Sequence, residues 1–140
     1  MNLIEHTTIN DTTYHLSQAP AVKQRALLGL VGAKIMFNNA AAVAQGVSED
    51  GTISRELVKG ALLTLPEKTL QEVSEIVLHK CVIEGDGKKI TVEDFQGKMN
   101  TYLDLLVFGI EVNLSDFFTW CGDVSTAKVN EDQDKKTNQK

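Results

Sequence analysis

The sequence predicts a mainly α fold: a compact domain of about four helices with a small N-terminal β-hairpin, a short second hairpin and a disordered C-terminal tail. Apolar residues recur at spacings of three and four through most of the chain, which is the repeat of helices packed on a core. Near the N-terminus, two β-prone runs flank a two-residue polar turn. The C-terminal stretch has no aromatic residue and mixes acids with lysines. We therefore expect one helical domain over 1–122 and a disordered polar tail over 123–140.

Composition narrows the function before any motif is considered. The chain has 140 residues, of which 42% are hydrophobic and 24% charged, with a formal net charge of −5. Such a balance gives no basic footprint for nucleic acid, so a protein partner is expected. The longest apolar run, Leu103 to Ile110, is too short to span a bilayer, and the N-terminus does not resemble a secretory signal. These observations predict a cytoplasmic protein without a membrane or nucleic-acid partner.

No sequence motif indicates catalysis or a metal site. Cys81 and Cys121 are far apart, and neither they nor the three histidines have the paired spacing of a zinc site. No Ser lies in a Gly-x-Ser-x-Gly turn, and no Gly-rich loop has the pattern of a phosphate site. We expect no catalytic residue, no metal and no cofactor, and two thiols kept reduced in the cytoplasm.

The first elements follow from residue type. Asn10-Asp11 interrupts a run rich in Thr and Ile, which predicts a tight hairpin. Pro20 is suited to the first turn of a helix that begins at Ala21 and continues towards Gly46. The expected core stripe of this helix is Leu27, Leu28, Val31 and Ile35, widened by Leu30 and Phe37.

Two glycines in this first long helix call for an explanation, because each costs about 1 kcal/mol relative to Ala inside a helix. Gly29 and Gly32 would allow another backbone to approach closely. We therefore expect the first helix to be buried on two sides. The loop expected next spans 46–52.

Two shorter helices are expected in the middle of the chain. Ser54 is placed to cap the first of them, and Pro66 marks the start of the second. Thr64 and Glu67 have the spacing of a capping box. The apolar residues expected on their inner faces are Leu57, Val58, Ala61, Leu62 and Leu65, then Leu70, Val73, Val77 and Cys81. Gly85-Asp86-Gly87 then predicts a second, short hairpin.

The last helix is apolar nearly all round, so it is either deeply buried or covered by a partner. Its stripe is Met99, Tyr102, Leu103, Leu106, Ile110, Asn113 and Phe117, broadened by Leu105, Val107 and Phe108. Asn113 has two interpretations. If the helix continues, its amide lies on the apolar stripe and needs hydrogen-bond partners. If the helix ends there, Asn113 caps a following short helix with Asp116 as the third residue on, and we favour the cap.

The aromatic residues near the end of the chain also have two interpretations. Phe108, Phe117, Phe118 and Trp120 either lock the last helix onto the glycine-containing helix or anchor a partner. As a hypothesis, these four residues and Asn113 form a partner-binding site. Apolar excess of this kind is equally consistent with a deep core and with an interface in a homo-oligomer.

Taken in order, the motifs resemble those of the tail assembly chaperones of long-tailed bacteriophages. The shared features are a β-prone start that ends in Tyr14, an Ala19-Pro20-Ala21 helix start, a leucine-rich helix with internal glycine, Phe95-x-Gly97, and Val112-Asn113 followed by Asp116-Phe117-Phe118. The resemblance spans roughly residues 1–122.

This resemblance implies a role in building the phage tail. Such chaperones bind the tape measure protein, a long helical chain that sets tail length, and keep it soluble while tube subunits polymerise. Many are made in two forms, and in the longer one a frameshift adds a domain that recruits tail tube protein. This chain looks like the short, non-frameshifted form, expected in the host cytoplasm and absent from the mature virion. The competing interpretations are a small structural tail component, such as a terminator or connector, then a helical transcriptional regulator, then an enzyme.

Overall fold

The computed structural model describes residues 4–45 and 54–121 of the chain. Within these ranges the predicted fold class is confirmed, with an N-terminal antiparallel hairpin followed by packed helices. The loop predicted at 46–52 and the disordered tail predicted at 123–140 lie outside the described residues.

The N-terminal hairpin forms where its turn sequence predicts it. Strand β1 (Ile4–Ile9) pairs antiparallel with strand β2 (Thr12–Ser17). The two residues between them, Asn10 and Asp11, have φ angles of +50° and +67°. This is the left-handed backbone of a two-residue turn that matches the twist of the paired strands, and Asn and Asp tolerate it best after glycine.

The second hairpin was expected from the sequence, but its pairing with the first was not. Strand β3 (Val82–Ile83) pairs antiparallel with β2, which becomes the central strand of a three-stranded sheet. The predicted glycine turn follows, with positive φ at Gly85 and Gly87, and the returning chain bridges Val82 at Lys89. The second hairpin therefore extends the N-terminal sheet instead of standing apart from it.

Helix α1 (Ala21–Ala44) buries one face in the core. The residues of that face are Leu27, Val31 and Ile35. Two members of the predicted stripe lie elsewhere: Leu28 is 37% exposed and Phe37 is 75% exposed. Beside this face Gly32 is also buried, whereas the side of α1 that carries Phe37 is exposed. A helix that is apolar nearly all round gives no clear inner face by periodicity alone.

The two glycines of α1 have different surroundings. A Cβ at Gly32 would lie 2.8 Å from Leu28 Cδ1 of the same helix and 3.5 Å from Phe117 Cζ, so the nearest atoms belong to side chains and not to the second backbone that was expected. At Gly29 a Cβ would meet nothing within 4 Å. The packing of the described residues thus accounts for Gly32 and gives no reason for Gly29.

The two middle helices begin differently from one another. Helix α2 (Arg55–Leu63) is capped as predicted, because Ser54 Oγ accepts a hydrogen bond from the backbone N–H of Leu57 at 3.1 Å. Helix α3 (Glu67–Val77) starts after Pro66 without a side-chain cap.

The predicted capping box of α3 is wrong. The Thr64 hydroxyl donates instead to the carbonyl of Ala61 at 2.7 Å, so it completes the end of α2. A capping box that the sequence analysis missed begins at Thr91, on a short 3-10 helix (Val92–Phe95). This turn buries the ring of Phe95, whose centroid lies 6.2 Å from that of Tyr14 and 5.6 Å from that of Tyr102.

Helix α4 (Met99–Asn113) is central to the packing and contacts α2, α3 and β1. It crosses α3 and β2 at Gly109, where an added Cβ would overlap Val77 Cγ1 and lie 3.1 Å from Leu16 Cδ1. Polar contacts hold the start of α4. Asn10 Nδ2 donates to Thr101 Oγ1 at 2.6 Å.

The two glycines at contrasting positions give a matched test of this packing. Gly109→Ala is expected to lower the free energy of unfolding by roughly 3 kcal/mol, because Val77 and Leu16 must move to admit a methyl group. Gly29→Ala is expected to raise it by about 0.5–1 kcal/mol, because the site is open and Ala is the better helix former. Urea denaturation monitored by circular dichroism measures both. Equal effects of the two substitutions would contradict this packing.

Candidate functional site

The aromatic residues at the end of the described chain form one cluster. Residues 115–121 are helical and follow a bend at Leu114. The ring centroid of Phe117 lies 6.4 Å from that of Phe118 and 5.9 Å from that of Trp120. Both Phe rings are partly buried against the core, whereas Trp120 is 50% exposed. The cluster therefore has an inner side that stabilises the fold and an outer side open to solvent.

Asn113 connects the end of α4 to the start of α1. Its Oδ1 accepts hydrogen bonds from the backbone N–H of Ala19 at 2.8 Å and from Gln24 Nε2 at 3.3 Å. Its Nδ2 donates to the carbonyl of Gly109 at 2.8 Å. The residue itself is buried, so these bonds replace those it would make with water.

The prediction that Asn113 caps the following helix is therefore wrong, although α4 does end at this residue. The expected partner does not complete a capping box, because Asp116 Oδ1 accepts from the adjacent N–H of Phe117. The interpretation in which the amide needs partners on the apolar stripe applies instead. The amide of Asn113 turns inward because it supplies the acceptor for the backbone N–H of Ala19, which lies 94 positions earlier in the chain.

A groove of about 410 Å³ runs between the first half of α1 and the C-terminal aromatic cluster. The residues that line it are Ala21, Gln24, Arg25, Leu28, Asn113, Leu114, Asp116, Phe117 and Trp120. Its walls are mainly apolar, and one cation and one acid, Arg25 and Asp116, are among the lining residues. A groove of this volume and lining has room for an apolar side chain.

The structure brings together four of the five predicted partner-binding residues, three of which line the groove. Asn113, Phe117 and Trp120 line the groove, and Phe118 lies next to Phe117. Phe108 is partly buried against the core and is not among the groove residues. Leu28 was missed as a surface residue, because its position in the apolar pattern suggested the core. Leu28 is partly exposed because it lines the groove together with Phe117 and Trp120. These residues are far apart in the sequence, so no single segment predicts this position.

Two further grooves lie beside α3. One, of about 550 Å³, lies between α1 and α3 and has Lys23 on one side and Glu72, Glu75 and His79 on the other. The second, of about 610 Å³, lies between α3 and the segment 89–102. Among the described residues, no group of three or more His, Cys, Asp or Glu side chains is arranged to hold a metal ion. No helix in the same ranges is long and apolar enough to cross a membrane.

Comparison with known families supplies the decisive observation. The sequence model of a family described as "Phage tail assembly chaperone protein, TAC" matches residues 10–125. The chain belongs to this family. The match includes both sides of the groove, from the start of α1 to the aromatic cluster. No curated protein and no solved structure matches the chain.

Family membership confirms the resemblance expected from the sequence and assigns the chaperone to phage tail assembly. Partners of such a chaperone are proteins of tail assembly.

The two cysteines of the chaperone are buried free thiols. Burial raises the pKa of the Cys81 thiol from its ordinary value of 9.0 to about 12, because a thiolate would lose its hydration in the core. Burial also raises the pKa of the Cys121 thiol. Neither thiol is activated as a nucleophile, since a reactive cysteine needs a lowered pKa.

The hydrogen bonds of Asn113 predict a large cost for its removal. Asn113→Ala is expected to lower the free energy of unfolding by about 3 kcal/mol, because the Ala19 N–H is left buried without an acceptor. Gln24→Ala removes a single, longer bond and should cost about 1 kcal/mol or less. Chemical denaturation of both variants checks the difference, and similar losses would show that the amide is not the main connection.

The raised pKa of Cys81 predicts a pH dependence of stability. The folded state holds the thiol proton more tightly than the unfolded state, so this contribution is complete below pH 9 and is lost as the pH rises towards about 12. The free energy of unfolding, measured between pH 8 and pH 10.5, should therefore fall more steeply with pH for the wild type than for Cys81→Ala. Parallel slopes for the two proteins would contradict the assignment.

Proposed function

We propose that this chaperone binds the tape measure protein and keeps it soluble while the tail tube assembles. The observation that carries the proposal is the apolar groove beside α1, with the half-exposed Trp120 at its edge. We further propose that it acts in the cytoplasm of the bacterial host and leaves before the virion is complete. The role needs binding and no catalysis.

A helical client presents apolar side chains at every third or fourth position, and these need a surface that excludes water. The groove supplies such a surface through Leu28, Phe117 and Trp120, with volume for a large side chain. Tryptophan contributes a large apolar area and loses little conformational entropy when it is covered. Its exposure in the free chaperone therefore favours covering by a client.

The supports of the groove favour a binding role over a packing role for Trp120. Phe117 fits against Gly32 of α1, and Phe118 packs against the core, so these rings already hold the helical segment 115–121 in place. Trp120 adds a ring contact with Phe117 but leaves half of its surface in solvent. Phe108 and Asn113 then act through the fold, by positioning α4 and the start of α1.

The resemblance also leads us to propose a longer, frameshifted product whose added domain recruits tail tube protein. In that scheme the present chain is the short form. A slippery nucleotide run near the last codons, followed by an overlapping reading frame, would support the scheme, and a stop in every alternative frame would contradict it.

Co-expression with the tape measure protein of the same phage tests the main proposal. We expect wild-type chaperone to keep that client in the soluble fraction and to co-purify with it. Trp120→Ala should reduce the co-purified client about tenfold or more, with little change in thermal unfolding, because the ring is a half-exposed anchor. Trp120→Phe should restore part of the binding.

Leu63→Ala is the matched control. Leu63 is a large apolar residue that is 67% exposed on α2 and does not line the groove, so its removal should leave client solubility unchanged. Lower stability of Trp120→Ala with undiminished client solubility would contradict the proposed contact. Recovery of the chain from purified phage particles would indicate a structural tail component instead.

A further inference from the structure

The outer face of α1 carries no polar side chain along its central line, although it is turned away from the core. We call this surface the α1 outer face, and its residues are Val22, Ala26, Gly29, Ala33, Met36, Phe37, Ala40 and Ala44. Val22 is 65% exposed and Phe37 is 75% exposed. At a rise of about 1.5 Å per residue, the face is about 33 Å long. Ordinary exposed helix faces are polar, so this one is built to be covered.

The spacing of these residues fits a second helix. They recur in alternating steps of four and three, at 22, 26, 29, 33, 36 and 40. This is the repeat by which two helices pack side by side at a shallow angle. Small side chains at 26, 29, 33 and 40 would let the two axes approach closely.

Gly29 is independent support for a close neighbour. A Cβ at this position would meet nothing within 4 Å of the described chain, so the fold gains nothing from glycine there. Glycine in a helix interior costs about 1 kcal/mol relative to Ala. Close approach of another backbone would account for it, and no atom of the described residues makes that approach.

The charged residues beside the α1 outer face indicate what kind of partner helix would fit it. Arg25 lies along one edge of the α1 outer face, and Lys23 and Lys34 lie along the other. No residue of α1 is acidic, whereas the whole chain has a net charge of −5. Within 4–45 and 54–121 none of these three cations is in an ion pair. A partner that covers the face would place its own flanking residues beside them.

A second copy of α1 does not fit this arrangement. Two outer faces packed together would bring six cations of α1 to one seam, with Glu72 and Glu75 of α3 near Lys23 alone, and like charges at such flanking positions oppose pairing. A partner helix with acidic residues beside its apolar stripe would instead place opposite charges next to Lys23, Arg25 and Lys34. We infer that the α1 outer face binds an amphipathic helix of a partner protein whose apolar stripe is flanked by Asp or Glu. The surface is separate from the aromatic groove, and the inference does not require the occupant of that groove to be the tape measure protein.

Two synthetic helical peptides test the inference with the full-length chaperone. Both have Ala and Leu at the apolar positions over about four heptads, enough to span α1. One carries Glu at the flanking positions and the other carries Lys. Fluorescence anisotropy at low salt should give about tenfold tighter binding of the Glu peptide, and added salt should reduce the difference, because the flanking charges are exposed.

Variants of the face make the test specific. The triple variant Lys23→Glu, Arg25→Glu and Lys34→Glu should reverse the preference, so that the Lys peptide binds more tightly. Ala33→Glu puts a charge at the exposed centre of the face and should abolish binding of the Glu peptide, with folding checked by circular dichroism. Trp120→Ala should leave peptide binding unchanged, which separates this surface from the groove.

Several results would overturn the inference. These are equal binding of the two peptides, binding of neither, or an unchanged preference in the triple variant. A homodimer in analytical ultracentrifugation that Ala33→Glu dissociates would assign the face to a second copy and would also overturn it. None of these outcomes bears on the client test of Trp120, which uses a different surface.

Discussion

The absence of a side chain at Gly109 is the constraint on which the rest of the structure depends. Helix α4 passes α3 and β2 so closely there that Val77 and Leu16 occupy the place of a Cβ. One turn later, Asn113 donates to the carbonyl of this same glycine and accepts from the N–H of Ala19. The turn from Gly109 to Asn113 therefore sets both the depth of α4 in the core and the point at which α1 begins. This turn therefore also positions the two sides of the groove, which begin at the start of α1 and the end of α4.

Helix α1 illustrates how one element can serve several purposes when apolar residues lie on several of its sides. Its inner face, with Leu27, Val31 and Ile35, closes the core. A second side, with Gly32 and Leu28, receives the aromatic cluster and forms one wall of the groove. The third side is the α1 outer face. A helix of mixed polarity could supply one of these surfaces, but the composition of α1 allows all three.

The parts of the fold that could be predicted are those determined by neighbours in sequence. The Asn10-Asp11 turn and the cap at Ser54 follow from the chemistry of a few adjacent residues, and both are confirmed. The inner faces of α2 and α3 follow from periodicity, because those helices have polar outer sides. The same reasoning failed for α1, where periodicity does not distinguish an inner face from an outer one.

The parts that could not be predicted depend on contacts between distant segments. Strand β3 has two residues, and only the neighbouring β2 makes it a strand. The role of Asn113 depends on an N–H at the start of α1, which local capping rules do not include. The Thr64 hydroxyl bonds to the carbonyl of Ala61 at the end of α2, so it does not cap α3. The groove likewise exists because two segments far apart in sequence meet.

The meeting of the two ends has a consequence for how the protein is made. Asn10 bonds to Thr101, Gln18 to the carbonyl of Val112 and Ala19 to Asn113, pairs that are 91 to 94 positions apart. The hairpin is translated before its partners on α4, so a core that includes both cannot close until α4 has left the ribosome. Until then the apolar faces of α1 and α3 have no cover of their own. A nascent chain released before α4 is complete would therefore leave these apolar faces exposed to solvent and prone to aggregation.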